Sequence, residues 1–224
     1  MQDLSVSTPD AQSPFDLDHV AILSGREAVR HRPDLYIGSP SPQGLHNLLL
    51  LAVDDLFAHY KTLGQPLKSV NVLLDRDGSV IVTSHVLTLS DAALEESHRL
   101  LRRELQVLGT DCPIGLFVVN ALSSRLIVTV RMPRERSRRL TFEEGALVLD
   151  EEDAMRIGEG DITLRFWPDM ALLDRAVLDD DSLVKVIRSL AATNPTVPIS
   201  VIDTRVATKE RLLVTARSDT APHT

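Results

Sequence analysis

Residues 25–55 read GREAVRHRPDLYIGSPSPQGLHNLLLLAVDD, and the second half of this stretch is unusually apolar. Its apolar side chains wrap more than one face of a helical pattern that begins near Pro42 and ends near Tyr60. A helix that is apolar on several sides is typically buried between a sheet and other elements. We therefore predict that this helix is the spine of the core.

The residues before this helix predict a shorter helix and a turn-rich entry. The pattern over residues 17–30 fits an amphipathic helix that is interrupted by Gly25. Pro33 ends this helix, because the residue before a proline is pushed towards extended conformations. We expect residues 36–38 to form a short extended piece and a turn.

The residues after the apolar helix predict a mixture of strands and helices. Alternating apolar residues over residues 69–74 and 80–82 flank a DRDG turn sequence, which predicts a β-hairpin. Ser90 is suited to cap a helix that runs to about Gly109. Further patterns predict helices over residues 117–123 and 180–190, and strands over residues 126–130, 140–142, 146–149, 199–203 and 212–215.

Composition indicates one soluble globular domain. The chain has 224 residues, of which 43% are hydrophobic and 25% charged. The longest apolar run, residues 48–53, is far too short to cross a bilayer, and the N-terminus has no signal-peptide pattern, so we expect a cytoplasmic location and no membrane association. Cys112 is the only cysteine, which excludes an internal disulfide; a small buried residue is favoured over a reactive thiol.

Charge argues against broad contact with nucleic acid. The net charge is −8, whereas non-specific affinity for nucleic acid comes mostly from neutralising phosphates. One basic cluster stands out between two predicted strands, with acidic runs nearby. We interpret it as a solvated hairpin tip, with an anion or nucleic-acid contact as the alternative. Its members are Arg131, Arg134, Arg136, Arg138 and Arg139, around Glu135.

Three motifs carry a family resemblance. The first begins with Arg-x-Arg-Pro-x-x-Tyr-Ile-Gly over residues 30–38, continues with Gly44-Leu45-His46 and ends in a helix with Val53-Asp54-Asp55. It resembles the start of the ATPase domain of the DNA gyrase B protein and of its topoisomerase IV counterpart. The sequence FVVNALS over residues 117–123 and the segment over residues 158–169 are similar to later motifs of the same domain. The resemblance covers roughly residues 17–205.

This resemblance implies the GHKL (Bergerat-type) fold. That fold is an α+β two-layer sandwich, in which helices cover one face of a mixed, mainly antiparallel sheet. It also implies three parts, namely a flexible N-terminal arm over residues 1–16, the GHKL domain over residues 17–206, and a terminal strand with a flexible tail over residues 207–224. In the family such an arm reaches across to the partner subunit; a plain disordered tail is the alternative here.

The resemblance also implies a nucleotide cleft whose chemistry has been replaced. The family helix carries a glutamate that activates water and an asparagine that ligates magnesium, and these positions read Leu51 and Asp55 here. The family aspartate that binds adenine corresponds to Ser84, and the threonine that contacts the nucleotide corresponds to Ile162. The full set of vestigial cleft positions is Leu51, Asp54, Asp55, Val82, Ser84, Leu89, Val118, Ile162 and Leu164, with Asp55 as the one candidate metal ligand because its oxygens suit magnesium.

The glycines of the family cleft are also missing. The adenine motif retains none of its glycines over residues 84–90, although only glycine allows the close backbone approach without steric cost. The family holds phosphates on the backbone N–H groups of a glycine-rich loop at a helix N-terminus. The corresponding residues 110–115 read TDCPIG, with a single glycine and with Pro113, which has no N–H to donate.

These replacements leave three functional hypotheses. The first is a catalytically inactive, gyrase-B-like pseudo-ATPase that serves as a dimerisation or regulatory module, with no cofactor. The second is an ATP-binding protein or weak ATPase with a rearranged site, using ATP and magnesium, in which Asp54 or Asp55 is the base with help from His46, His59 or His85. The third overlaps the first: the chain pairs with itself or with a topoisomerase-related protein.

Overall fold

The computed structural model describes residues 23–107, 114–153, 160–173, 180–205 and 211–212. In chain order its helices are α1 (Gly25–His31), α2 (Asp34–Ile37), α3 (Pro42–Thr62), α4 (Asp91–Glu104), α5 (Gly115–Ala121) and α6 (Asp180–Thr193). Its strands are β1 (Leu67–Leu74), β2 (Val80–Val86), β3 (Ser123–Met132), β4 (Arg136–Glu143), β5 (Ala146–Asp153), β6 (Ile162–Pro168), β7 (Ile199–Asp203) and β8 (Arg211–Leu212).

The strands form one mixed, mainly antiparallel sheet. Its order is β5-β4-β3-β6-β2-β1-β7-β8. Among the described strands only the β1 and β7 pair is parallel, while the other pairs are antiparallel. The predicted fold class is therefore confirmed.

The two faces of the sheet differ in burial, which places the helices. In β2 and β6 every second residue is buried and the intervening residues are half-buried. Strand residues alternate between faces, so one face is fully covered and the other is partly open to solvent. The covered face packs against the helices in one hydrophobic core.

Helix α3 is the spine of this core, as the sequence predicts. It contains 21 residues, and buried positions occur on several sides of it. It contacts α5 and α6 as well as strands β1 and β2. Leu48, Ala52, Val53 and Leu56 are fully buried, because the helix lies between the sheet and the other helices.

Two local predictions upstream of α3 are wrong. Helix α1 begins at Gly25, so residues 23 and 24 are not helical as predicted, because Ser24 caps the helix: the Ser24 hydroxyl accepts from the Glu27 N–H, and the Glu27 carboxylate accepts from the Ser24 N–H. Residues 17–22 lie outside the described part. Residues 34–37 form a helical turn and not an extended piece, since the fixed φ of Pro33 suits the start of a helix.

Other elements differ mainly in their ends. The predicted hairpin and its turn are confirmed, as is the Ser90 cap, whose hydroxyl accepts from the Ala93 N–H. Helix α4 ends at Glu104, earlier than predicted, and α5 begins at Gly115. Of the predicted strand over residues 212–215 only residue 212 is described. The predicted arm, tail and domain boundaries also fall outside the described residues and stay predictions.

The basic cluster does not form a hairpin tip. Only Arg134 lies in the connection between β3 and β4, whereas the other arginines lie in the strands. Across the β4 and β5 pair, Arg136 bonds Glu152, Arg138 bonds Asp150 and Arg139 bonds Glu151. Arg131 pairs with Asp161 at 2.8 Å. These four arginines are thus neutralised by carboxylates of neighbouring strands or of the segment before β6.

We expect Leu56→Ala to lower the free energy of unfolding by about 2–5 kcal/mol, because it empties a fully buried position of α3. Leu35→Ala is the matched control, since Leu35 is 68% exposed and its truncation changes stability by less than about 0.5 kcal/mol. Urea denaturation monitored by circular dichroism measures both. Equal losses in the two variants would contradict the central place of α3.

Candidate functional site

The middle of α3 carries the residues that correspond to the family's catalytic helix. Leu51 is half-buried and packs against the hydrophobic core, and Asp54 is exposed. Asp55 is buried. The side chain at position 51 is therefore part of the packing, and the one buried carboxylate of this helix is that of Asp55.

Asp55 binds the N-terminus of α5. Its Oδ2 accepts a hydrogen bond of 2.6 Å from the Leu116 N–H, and the Gly115 N–H also bonds this carboxylate. Helix α5 has no capping side chain of its own, because the residue before it is Ile114. The first N–H groups of a helix have no acceptor within that helix. Asp55, which lies on α3, therefore caps α5 by accepting hydrogen bonds from N–H groups at its start.

The fit between Asp55 and α5 is close. A Cβ atom at Gly115 would lie 2.8 Å from the carboxyl carbon and from both carboxyl oxygens of Asp55. Real Cβ atoms essentially never lie this close to another heavy atom, so a larger residue at position 115 would force the carboxylate to shift. The one glycine left in the family's phosphate loop thus makes room for a side chain of this chain itself.

Burial raises the pKa of Asp55 to about 6. The hydrogen bond from the Leu116 N–H acts in the opposite direction, while the negative charges of Glu104 and Asp54 raise the pKa further. The ionised carboxylate is thus held in a site that partly disfavours its charge.

His59, one turn after Asp55, joins α3 to α4 in a buried polar network. Its Nδ1 lies 3.3 Å from Glu104 Oε2, and its Nε2 lies 2.9 Å from Ser97 Oγ. All three residues are buried. His59 is therefore enclosed between α3 and α4, with both ring nitrogens facing residues of α4.

Tyr60 joins α3 to the sheet at the position of the family's adenine-binding aspartate. The Ser84 hydroxyl donates to the Ile162 carbonyl at 3.2 Å, so the Tyr60 hydroxyl donates to Ser84 across 3.0 Å. Tyr60 and Ser84 are fully buried, and burial raises the pKa of Tyr60 well above its usual range. Ser84 is thus part of a buried contact between helix and sheet.

The structure brings most of the predicted cleft positions together, but their side chains are packed within or against the core. Val82 faces Leu164 and Ser84 faces Ile162 across the β2 and β6 pair. Val118 is fully buried in the same hydrophobic core, and Leu89 packs against it. Asp54 stands apart, because it is exposed on α3.

No group of three metal-ligating side chains occurs among the described residues. The assignment of Asp55 as a metal ligand stays a prediction. Residues 110–113 of the family's phosphate loop, including Cys112, lie outside the described part of the chain. Asp55 is the one cleft position that carries a buried carboxylate.

Two cavities on the described surface lie elsewhere. The larger has a volume of about 800 Å³ and lies between the first turn of α1, the end of α4 and the β4–β5 turn. The smaller, about 570 Å³, lies between the end of α3 and the segment before β7. Neither is lined by a predicted cleft position.

Comparisons with known proteins agree with this architecture. No protein-family model matches the chain. The crystal structure of the 43K ATPase domain of Thermus thermophilus gyrase B in complex with an aminocoumarin superposes with a TM-score of 0.66 at 24% identity, covering 86% of this chain and 52% of that one. The chain thus has the GHKL fold of the gyrase B ATPase domain.

Sequence comparison identifies the family. The DNA gyrase B protein of Haloferax volcanii is 32% identical over 210 residues, which cover 85% of this chain and 32% of that protein. The Mycobacterium tuberculosis protein of the same name is 30% identical over 225 residues, with 89% and 31% covered. This chain is homologous to the ATPase domain of gyrase B, and it spans about a third of the length of these relatives.

Sequence reasoning missed the network of His59, Ser97 and Glu104 and the role of Tyr60. A weak signal was present, because Asp55 and His59 are four residues apart and hence neighbours on one helix. Their partners are distant in sequence, so the spacing alone could not identify them. The contact between Asp55 and α5 was missed for the same reason.

The raised pKa of Asp55 predicts a pH-dependent stability. The folded chain binds this proton more tightly than the unfolded chain, whose carboxyl has the ordinary pKa of 3.8. The stabilisation is complete below pH 3.8 and is lost as the pH rises through about 6, a fall of about 3 kcal/mol. Asp55→Asn should remove this fall. Urea denaturation between about pH 3.5 and about pH 7, a range that spans both pKa values, measures the effect.

Glu96→Gln serves as the control for that series. The hydrogen bond from Arg99 lowers the pKa of Glu96, so removing this carboxylate changes the slope in the opposite sense. An Asp55→Asn variant that keeps the full pH dependence of the native chain would show that Asp55 is not its source.

Gly115→Ala should destabilise the chain by on the order of 2 kcal/mol, because the added Cβ meets the Asp55 carboxylate. The same substitution made in an Asp55→Ala background should cost much less, since the clash is gone. A double-mutant cycle in urea measures the coupling. Additive effects of the two substitutions would refute the contact.

Proposed function

We propose that this chain is a catalytically inactive relative of the gyrase B ATPase domain and acts as a dimerisation or partner-binding module. The observation that supports this proposal most directly is that the Asp55 carboxylate accepts hydrogen bonds from the N–H groups of Gly115 and Leu116. In the family that the chain resembles, the N–H groups at the start of this helix hold nucleotide phosphates. Here an internal anion takes their place.

The negative charge of Asp55 at the start of α5 lowers the affinity of that site for a nucleotide phosphate. A phosphate at α5 would have to displace the buried carboxylate or lie beside it. Two unit negative charges about 4 Å apart repel by roughly 4 kcal/mol at an effective dielectric of about 20. A loss of that size weakens affinity about 1,000-fold.

The chemical step has lost its base as well. Leu51 stands at the position of the family glutamate and packs against the core, and it cannot accept a proton from water. A general base contributes roughly 100-fold to 10,000-fold in rate. Asp54 lies nearly one helical turn further along but is exposed, so it does not replace the lost group in the packed interior.

The adenine side of the cleft supports the same conclusion. Ser84 offers a hydroxyl in place of a carboxylate, and this hydroxyl is already bonded to Tyr60 and to the Ile162 carbonyl. An incoming base would have to break a satisfied buried contact to bind there, which costs free energy. No nucleotide or metal cofactor is therefore part of the proposal.

The proposed partner is a second copy of the chain or a topoisomerase-related subunit, as homology to gyrase B suggests. The surface arginines of β4 support a protein partner over nucleic acid, because Arg136, Arg138 and Arg139 are paired with carboxylates of β5. Among the described helices, none has the length and apolarity needed to cross a membrane.

A second candidate is an ATP-binding protein or weak ATPase with a rearranged site. One observation favours it, namely that the pKa of Asp55 is about 6, which is in the range of catalytic general bases. Protonation near neutral pH would also release the negative charge at α5. The two candidates differ directly in nucleotide affinity.

Calorimetric titration with ATP and ADP, with and without magnesium, separates them. We expect no binding at nucleotide concentrations up to about 1 mM, which corresponds to an affinity weaker than about 4 kcal/mol. Leu51→Glu should bind no better, because the base position is not the barrier to binding. Micromolar binding by the native chain would overturn the proposal, and ATP turnover in that case would establish the second candidate.

The partner half of the proposal has its own test. Light scattering on the purified chain should show a dimer, or affinity capture with a purified topoisomerase subunit should retain the chain. A monomer that captures neither itself nor such a subunit would remove this half and leave the nucleotide result unaffected.

A further inference from the structure

The larger of the two cavities on the described surface has the size and the walls of a site for a small organic molecule. Its volume is about 800 Å³. Cavities that bind such molecules commonly span roughly 300–1,000 Å³ and combine a mostly apolar lining with a few polar groups. Here Phe117, Leu147 and Val107 supply apolar surface, while Arg26 and Gln106 supply polar groups.

Two walls of the cavity are joined beneath their surface by Asn120. This buried side chain of α5 donates from Nδ2 to the Leu105 carbonyl at 2.8 Å and to the Gly145 carbonyl at 3.2 Å. Leu105 directly precedes the lining residues Gln106 and Val107, and Gly145 lines the cavity from the β4–β5 turn. The end of α4 and the β4–β5 turn are therefore fixed relative to each other, so the cavity is formed before a ligand enters.

Arg26 brings an unpaired positive charge to the wall. Within the described ranges no carboxylate lies within ion-pair distance of Arg26, whereas Arg30, one helical turn later, bonds Asp169 at 2.7 Å. The carboxylate of the neighbouring Glu27 accepts instead from the Ser24 N–H at 2.8 Å. The guanidinium of Arg26 is thus available to an anion.

The glycine of the β4–β5 turn lets Arg26 pack against the wall. Gly145 has a φ of +80°, and a Cβ atom there would lie 2.7 Å from Arg26 Cδ and 3.0 Å from Arg26 Cγ. The aliphatic stem of Arg26 therefore occupies the place where another residue would put its Cβ. A guanidinium on a packed stem loses less conformational entropy when it binds a ligand.

We propose that this cavity binds a small carboxylate with an apolar, ring-containing body. The carboxylate bonds the guanidinium of Arg26, whose fork of N–H donors matches the two oxygens of a carboxylate. The body of the ligand covers Phe117, Leu147 and Val107. This site is separate from the nucleotide cleft, because none of its described lining residues is a predicted cleft position.

Charge favours a carboxylate over a phosphate. Arg26 is the one cationic side chain among the described lining residues, so it neutralises a single negative charge. A phosphate monoester carries about −1.5 to −2 at neutral pH. Its second charge would stay unneutralised on a chain whose net charge is already −8.

Titration of the full chain with 2-naphthoate, followed by the NMR shifts of backbone amides, tests the site. We expect a dissociation constant of about 1 mM or tighter, with the largest shifts at residues 106–107 and 145–147. Arg26→Gln should weaken binding at least about tenfold, because the charged partner is lost. Arg188→Gln is the matched control and should bind like the native chain, since Arg188 is exposed on α6 and does not line the cavity.

Two further probes and a second variant define the ligand class and the place of binding. The neutral 2-naphthamide and the more highly charged 2-naphthyl phosphate should each bind the native chain at least about tenfold more weakly than 2-naphthoate. Val107→Trp should also weaken 2-naphthoate binding, because a larger side chain at this 49% exposed position fills the cavity without changing the core.

Each other result overturns the proposal. Absence of shifts at residues 106–107 and 145–147 would show that the cavity does not take this class of ligand. Equal affinity in Arg26→Gln, or equal affinity for 2-naphthyl phosphate, would remove the carboxylate contact. Shifts confined to the surroundings of Leu51 and Asp55 would place the compound in the nucleotide cleft instead.

Discussion

The contact between the Asp55 carboxylate and the start of α5 fixes how α5 sits against the central helix. It joins the central helix to a short helix that lacks a cap of its own. Leu116, Phe117 and Val118 are buried around this contact and belong to the main core. Because the carboxylate needs its N–H partners once it is buried, the position of α5 relative to α3 is narrowly constrained.

The same helix uses neighbouring polar positions for two further attachments. His59 reaches Ser97 and Glu104 on α4, and Tyr60 reaches Ser84 on β2. Polar side chains that meet partners in the core specify one arrangement of the elements more strongly than apolar packing alone. Of the residues in these two attachments, Ser84 is the one that corresponds to a nucleotide-cleft position of the family, and here it joins the sheet to α3.

The homology thus indicates the fold of the gyrase B ATPase domain, while the residues at the cleft positions differ in chemistry from those of the family. The two findings are compatible. Fold depends on the volume and pattern of many core residues, which 28–32% identity to gyrase B preserves. Function depends on a few groups at a site, and a fold by itself does not imply an activity. Replacing a base by Leu51 and a metal ligand by Asp55 leaves the helix intact, since both residues are accommodated by the existing packing.

Sequence alone was sufficient for α3 and the β1–β2 hairpin, because apolar periodicity is a local property of the chain. The sheet class was implied by the motifs that resemble the gyrase B family. The sequence also marked Leu51, Asp55 and Ser84 as departures from the family. Only the tertiary structure showed that Asp55 meets Leu116, 61 residues later, and that His59 meets Glu104, 45 residues later. Such contacts depend on how elements pack, and no local pattern records which side chains will face each other across two packed helices.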